Sequence, residues 1–255
     1  MTYQIASWNV NSIKARLTHV QEFLGNSNVD VLFLQELKGE VLQDISTNYH
    51  AVFKGQKAYN GVAILSKTPV TLISDKLDGD EQDEQARYLE VEWNSLRLIN
   101  IYLPNGNPLG TDKFEYKIKW MQRLFHKLNE LKIARIPFLI GGDFNVITED
   151  KDCYDPNLWR NDALYHPDTV KQFRSLINLG LTDAFRVFNQ QAEEYTFWDY
   201  QAGAWPRNKG IRIDHFLTSP ALTDRLINCT IDKSERNKDS PSDHVPIILE
   251  ISASH

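Results

Sequence analysis

Apolar runs of strand length recur along the chain: VDVLFLQ at 29–35, GVAIL at 61–65, LRLINIYL at 96–103, IPFLIGG at 136–142, IRIDHFL at 211–217 and HVPIILEI at 244–251. Many are continuous rather than alternating, the pattern of strands covered on both faces. Helical spacing lies between some of them. In 12–25, Ser12 is placed to cap the first turn, Ile13, Leu17, Val20 and Leu24 form one stripe, and Gly25 can end the helix. In 112–132, Asp112 can cap, and Phe114, Ile118, Met121, Phe125 and Leu128 share a face. In 167–179, Pro167 suits the first turn, Val170, Phe173 and Ile177 form the stripe, and Gly180 stops it. Hairpin-like stretches occupy 51–102. Helices and strands mixed in this way predict an α/β sandwich rather than a strict βαβ array. Neither linker, low-complexity segment nor strong repeat interrupts the pattern, so one domain over 1–255 is expected.

Polar residues gather at the ends of these strands. QIASWNVN ends in Asn9 and Asn11, VLFLQE in Glu36, and PFLIGGDFN in Asp143 and Asn145; LRLINIYLPNG reaches Tyr102 and then Asn105. IRIDHFL carries Asp214 and SDHVPIILEI carries Asp243 and His244, both at strand beginnings. Where antiparallel strands are present, the C-terminal ends of some share an edge with the N-terminal ends of others. All these groups are therefore expected to converge at one edge. Asp243 and His244 are adjacent, and successive side chains of extended backbone diverge, so the two can serve different parts of one site.

Charge and composition narrow the class. The chain has 255 residues, 42% hydrophobic and 24% charged, enough for one large core and not the balance of a disordered protein. Its two cysteines, Cys153 and Cys229, have neither disulfide-framework nor zinc-site spacing. The start lacks the features of a signal peptide, and no apolar run reaches membrane-spanning length. A soluble, cytoplasmic protein is expected. The net charge of −6 argues at first against nucleic acid, but residues 75–92 alone hold eight acids and two bases. Residues 113–135 hold seven Lys or Arg against two Glu, so one face of the molecule is a candidate basic surface.

The converging groups have a definite chemistry. Glu36, Asp143 and Asp243 supply carboxylates, and Asn9, Asn11 and Asn145 supply neutral carbonyl oxygens. Such an oxygen set selects a hard cation, Mg²⁺ or Mn²⁺. Phosphoester hydrolysis needs a positioned water, positive charge for the developing phosphorane, and a donor for the leaving oxygen. Asp143 can orient or deprotonate water, His244 backed by Asp214 is a paired imidazole, and Tyr102 can donate to a phosphate oxygen.

The motifs SWNVNS, LQELK, IYLPNGN, GGDFNV, RIDHFLTS and SDHVPI resemble, in order and spacing, those of the exonuclease III-like AP endonucleases of the DNase I-like endonuclease/exonuclease/phosphatase superfamily. The resemblance runs from residue 5 to residue 251. It implies a four-layered α/β sandwich, two packed mixed β-sheets flanked by helices. It implies a metal set of Asn9, Asn11, Glu36 and Asp243 with Asp143, Asn145 and His244 around it. It also implies a phosphate-contacting Tyr102, an Asp143 that aligns or deprotonates water, a transition-state hydrogen bond from Asn145, and a His244–Asp214 pair. The division of labour between Asp143 and His244 as base stays open, as does the number of metal ions. Relatives carry a phosphate-contacting arginine at the position of Arg87 and a further phosphate contact at Asn105. The stretch YTFWDYQAGAWPRNKGIRID resembles the region of an apolar pocket for an extruded abasic sugar, matched by Phe197, Trp198, Ile211 and Ile213. Arg207, Lys209 and Arg212 then form a basic track beside it.

The function so implied is a Mg²⁺-dependent DNA repair nuclease, with Mn²⁺ able to substitute, acting in base excision repair. It would cut 5′ to abasic sites, degrade duplex DNA 3′ to 5′ and clean 3′ ends, as a monomer on double-stranded DNA. Two other readings compete: a phosphodiesterase or phosphatase acting on a lipid or small phosphate, and a non-catalytic DNA-binding module. The PNGN, EYKIKWMQRL and TFWDY segments speak against the first, and the intact acid and histidine set against the second. The acidic loop 75–84 has no assigned role.

Overall fold

The computed structural model describes residues 1–42, 44–45 and 48–253. The chain runs β1 (Thr2–Asn9), α1 (Ile13–Asn26), β2 (Val31–Gln35), β3 (His50–Lys54), β4 (Val62–Ser66), β5 (Thr71–Ser74), β6 (Tyr88–Trp93) and β7 (Leu96–Tyr102). It continues through α2 (Asp112–Ile133), β8 (Phe138–Asp143), α3 (Pro156–Trp159), α4 (Pro167–Asn178), β9 (Thr182–Asp183) and α5 (Ala184–Phe188). β10 (Asp214–Thr218), α6 (Pro220–Thr223), β11 (Leu226–Ile231) and β12 (Ile247–Ser252) complete it. The strands form two six-stranded sheets, ordered β11-β12-β1-β2-β4-β3 and β5-β6-β7-β8-β10-β9. Each is mixed: β1 runs parallel to β2 and antiparallel to β12, and β8 runs parallel to β7 and antiparallel to β10.

Three apolar layers hold the stack. Phe33, Ile64, Val91, Leu98, Leu139 and Phe216 meet between the sheets. α1 packs Val20, Phe23 and Leu24 onto the outer face of the first sheet, against Trp8 and Leu34. α2 and α4 cover the second sheet with Trp120, Leu124, Leu128, Phe173 and Leu176. This is the four-layered sandwich expected from the resemblance. Fully burying each aliphatic or aromatic side chain contributes roughly 1.5–3 kcal/mol, so these layers dominate stability. Buried among them is a polar bridge near the site end: Gln35 Nε2 donates to Ser7 Oγ (3.0 Å) and Asn100 Oδ1 (2.7 Å), and Asn100 Nδ2 donates to the carbonyls of Leu34 and Ala63. It joins β2 and β4 of one sheet to β7 of the other and fixes how they stack. No helix among the described residues is long and apolar enough to cross a membrane.

Several element ends differ from expectation for identifiable reasons. Ser12 does cap α1, accepting from the Ala15 amide, but Gly25 lies inside the helix and Ser27 closes it. α2 starts after Thr111, and its buried stripe is Lys117, Trp120, Met121, Leu124, Leu128 and Leu131, with Phe114, Ile118 and Phe125 only half-buried. The run 211–217 becomes strand only at Asp214. Before it, Ile211 bridges antiparallel to Cys153 and Phe197, a local pairing the continuous apolar pattern hides.

Candidate active site

Strand pairing brings the polar ends together. Asn9 and Gln35 are register partners at the ends of β1 and β2, with Glu36 next in the chain. Across the second sheet, Tyr102 pairs with Asp143 and Asp143 with Asp214. His244 joins through a bridge to Phe197. Asn11, Glu36 and Asn145 adopt φ of 44°, 54° and 49°, left-handed conformations for non-glycine residues. Each costs on the order of 1–3 kcal/mol, and such residues concentrate at functional sites. At these strand ends the reversed φ turns the chain away from the ladder just where these side chains are needed.

A single amide holds the two central carboxylates. Asn9 Nδ2 donates to Glu36 Oε1 and to Asp143 Oδ2, both at 2.9 Å, while its carbonyl accepts from the Asn11 amide at 3.0 Å. Asn9 thus presents its NH₂ to the carboxylates and not a ligand oxygen. Asn11 donates to Asp243 Oδ1 (3.1 Å), and its carbonyl takes the ammonium of Lys38. Lys38 also pairs with Glu36 Oε2 at 2.9 Å. Burial works to raise the Glu36 carboxyl, but the bonds from Asn9 and Lys38 outweigh it and hold it below its ordinary value.

His244 Nδ1 lies 2.8 Å from Asp214 Oδ2, and its Nε2 lies 3.7 Å from Asp143 Oδ2. Burial disfavours the imidazolium, yet Asp214 and Asp143 together push the ring up to about 10. Asp143 is pushed up to about 7 by burial and by Asp214 and Glu36, against the pull of His244. A cationic imidazole therefore stands beside a carboxylate poised near neutrality. Tyr102 is raised well above its ordinary value by burial and by Glu36 and Asp143, so it stays a neutral donor; the Arg87 guanidinium sits 4.7 Å above its ring.

Glu36, Asp143 and His244 each offer a ligand atom, and these lie within 4.8 Å of one another. Two hard carboxylate oxygens at this separation, whose charge Lys38 and His244 now balance, suit a hard divalent cation. Asp243 lies outside that group, tied to Asn11 and Ser242. Asn145 is turned to other work: its amide N–H donates to Asp143 Oδ1, Nδ2 to the Leu103 carbonyl, and Oδ1 accepts from Asn105.

These residues floor a cleft of about 330 Å³, walled by Phe197 and Ile213 and, unforeseen in the sequence, by Trp159, Asp162, Leu164 and Asp199. The Phe197 ring stands edge-on to His244, centroids 5.0 Å apart. Asn105 lines the same cleft. Ile211 and Lys209 line an adjoining hollow of about 270 Å³, and Arg207 is exposed beyond them. Two expected DNA contacts are not available. Trp198 is wholly buried, with its indole N–H on Asn208. Arg212 is wholly buried between Asp152 and Asp183, 2.7 and 2.9 Å away. Both sit in the stretch where an irregular bridge replaces strand alternation, so the side each faces could not be read from spacing. Lys117 was counted with the basic run, yet it is fully buried, and burial pushes its amine down to about 7. Its place on the apolar stripe of α2 was the available signal.

Two stacked mixed sheets with an acid, amide and imidazole cluster at one edge are the arrangement of a phosphoester hydrolase of the sandwich type, with Glu36, Asp143 and His244 grouped where a metal ion could be held. The chain belongs to the endonuclease/exonuclease/phosphatase family, whose model matches residues 6–244. Among solved structures, it is similar to a 3′–5′ exonuclease from Neisseria meningitidis at 36% identity and a TM-score of 0.92, covering 98% of this chain and 99% of that one. It is similar to an AP endonuclease from Archaeoglobus fulgidus at 34% identity and a TM-score of 0.90, covering 97% and 98%. Among curated sequences, it is 32% identical to exodeoxyribonuclease III of Haemophilus influenzae over 96% of this chain and 98% of that one.

Proposed function

We propose that this chain is a Mg²⁺-dependent DNA repair nuclease that hydrolyses the phosphodiester 5′ to abasic sites, degrades duplex 3′ ends and removes 3′ blocking groups. The observation that carries the reading is Glu36, Asp143 and His244 on one cleft floor, held from beneath by the buried Asn9 and Asp214. The names of similar proteins, an AP endonuclease, a 3′–5′ exonuclease and an exodeoxyribonuclease III, support both activities. We take the protein to be a single-domain cytoplasmic monomer acting on double-stranded DNA.

Mg²⁺, or Mn²⁺ in its place, would be held by Glu36 and Asp143 with Asp243, Asn9, Asn11 and Asn145 around it, and would supply Lewis-acid neutralisation of phosphate charge. His244, kept cationic by Asp214, donates from Nε2 to a phosphate oxygen and has no lone pair to act as base. Asp143, its carboxylate oriented by Asn9 and the Asn145 amide, accepts the proton of the attacking water. Tyr102, Asn105 and the adjacent Arg87 face the phosphate. Phe197 and Ile213 wall the space beside it, which accepts a sugar lacking its base without any base-edge contact. Ile211, Lys209 and Arg207 continue that surface along the strand.

The test is a labelled duplex carrying one tetrahydrofuran abasic analogue, incubated with Mg²⁺, with EDTA, and with Asp143→Asn. A metal-dependent nick 5′ to the analogue, lost in the variant, supports the reading. Shortening from the 3′ end without the nick limits the function to exonuclease. An absence of cleavage with every metal overturns it in favour of small phosphate substrates.

A further inference from the structure

Lys117 is an anomaly on the cleft's underside. It is fully buried, yet it takes part in no ion pair among the described residues. Buried lysines without a counter-charge are uncommon because desolvating the ammonium is costly. Its Nζ instead donates to two backbone carbonyls, those of Asn145 at 2.6 Å and Asn105 at 3.0 Å. These belong to different loops, one following β7 and one following β8. The side chains of the same two residues meet above it, Asn105 Nδ2 donating to Asn145 Oδ1 at 3.3 Å. The loop is shaped around the lysine stem. Gly106 has φ of 88°, and a Cβ there would lie 2.6 Å from Lys117 Cδ.

We propose that Lys117 is a positioning residue: it cross-links the two cleft loops through their carbonyls and thereby holds the Asn105 and Asn145 amides in the one arrangement that meets the substrate phosphate. The left-handed backbone of Asn145, φ 49°, is one that asparagine visits readily, and the Lys117 ammonium on its carbonyl ties that turn to the loop after β7. The donation to Leu103 fixes only one end of its side chain. The inference rests on the phosphodiesterase reading for its kinetic test, and a second measurement does not.

The kinetic test is a double-mutant cycle on the intact protein with the abasic-analogue duplex and Mg²⁺: wild type, Lys117→Met, Asn145→Ala and both together. Lys117→Met is expected to lower kcat about 30-fold while KM moves less than about 3-fold. In the Asn145→Ala background the same change should cost clearly less than in the wild type, because one of the two groups it positions is gone. Lys117→Arg, which keeps donors in reach of the carbonyls, should recover most of the loss. An equal loss in both backgrounds means that Lys117 only supports the fold and overturns the proposal. Independently of any substrate, the side-chain amide NMR signals of Asn105 and Asn145, assigned from their loss in the alanine variants, should shift in Lys117→Met. Unmoved signals overturn the proposal even where cleavage is seen, and shifted signals uphold it even where the functional reading fails. Should Lys117→Met not fold, as judged by near-UV circular dichroism, Lys117→Gln takes its place in both measurements.

Discussion

Asp143 is held from three sides. It receives Asn9 on one oxygen and the Asn145 amide on the other, and faces His244. The charge on His244 depends on Asp214, which is fully buried and 2.8 Å from its ring. Asp214→Asn keeps the shape but removes one of the two carboxylate charges that overcome burial, so the imidazole loses the positive charge it presents to the phosphate. The expected result is a fall in kcat of roughly 10²-fold or more, with duplex affinity in EDTA nearly unchanged; comparable kcat would mean that His244 does not act as a cation. Glu36→Gln removes a hard anionic ligand, and Mn²⁺ affinity measured by titration calorimetry should weaken at least about tenfold, since ligand charge sets affinity at such sites. Much of this set was legible in the sequence because each member closes or opens a strand, where backbone direction fixes position. Lys38 was not singled out, although it follows Glu36 by two residues, since a surface lysine carries no periodic signature. Trp198 and Arg212 were misjudged because an irregular segment gives no rule for which side faces inward.

At the scale of elements, the two charge runs that looked like opposing surfaces turn out to be partners. The acidic loop after β5 lies on α2. Arg123 pairs with Asp83 at 2.7 Å and donates to the carbonyls of Leu77 and Asp78, Lys127 pairs with Asp78 and with Glu90, and Tyr116 donates to Asp83. Lys117, Arg123 and Lys127 of the basic run are thus engaged within the protein, while Lys113, Lys119, Lys132 and Arg135 stay exposed. Neither run could be assigned from sequence, because Asp83 and Arg123 are 40 residues apart and local patterning says nothing of such pairs. The Arg123–Asp83 pair is nearly buried, with 11% and 6% side-chain exposure. Removing one partner of a buried pair strands the other charge and costs roughly 3–5 kcal/mol. Arg123→Met should thus destabilise the protein toward that range in urea unfolding, and amide exchange in 75–84 should accelerate ahead of the global transition. Unchanged exchange there would mean that the loop is held by its other contacts.

For the whole molecule, the apolar runs foretold strands and a sandwich, while the division into two sheets came only with the family resemblance. Periodicity marks a strand as covered on both faces but not which strand lies beside it. Between and behind the sheets the buried polar groups then decide how stability answers to pH. His215 lies on β10, fully buried, with Nε2 2.9 Å from the Val146 carbonyl and Nδ1 3.0 Å from Arg212. Burial, reinforced by Arg212, pushes its imidazole down to about 4. In the unfolded chain the same ring titrates near about 6.5. Between those values the unfolded state holds a proton that the folded state does not. Stability therefore rises with pH across this window, by up to about 1.4 kcal/mol per pH unit, is fully gained above it, and is lost as pH falls through it. Asp143, raised toward neutrality, has the opposite sign, so the wild-type curve alone mixes the two. The difference between wild type and His215→Phe isolates the histidine, because every other group is common to both. The wild-type margin over the variant in urea unfolding should be widest at pH 7 and narrow steadily toward pH 4.5. A margin constant across that range would mean that His215 carries the same proton in both states, and that the contact with Arg212 does not hold the ring neutral.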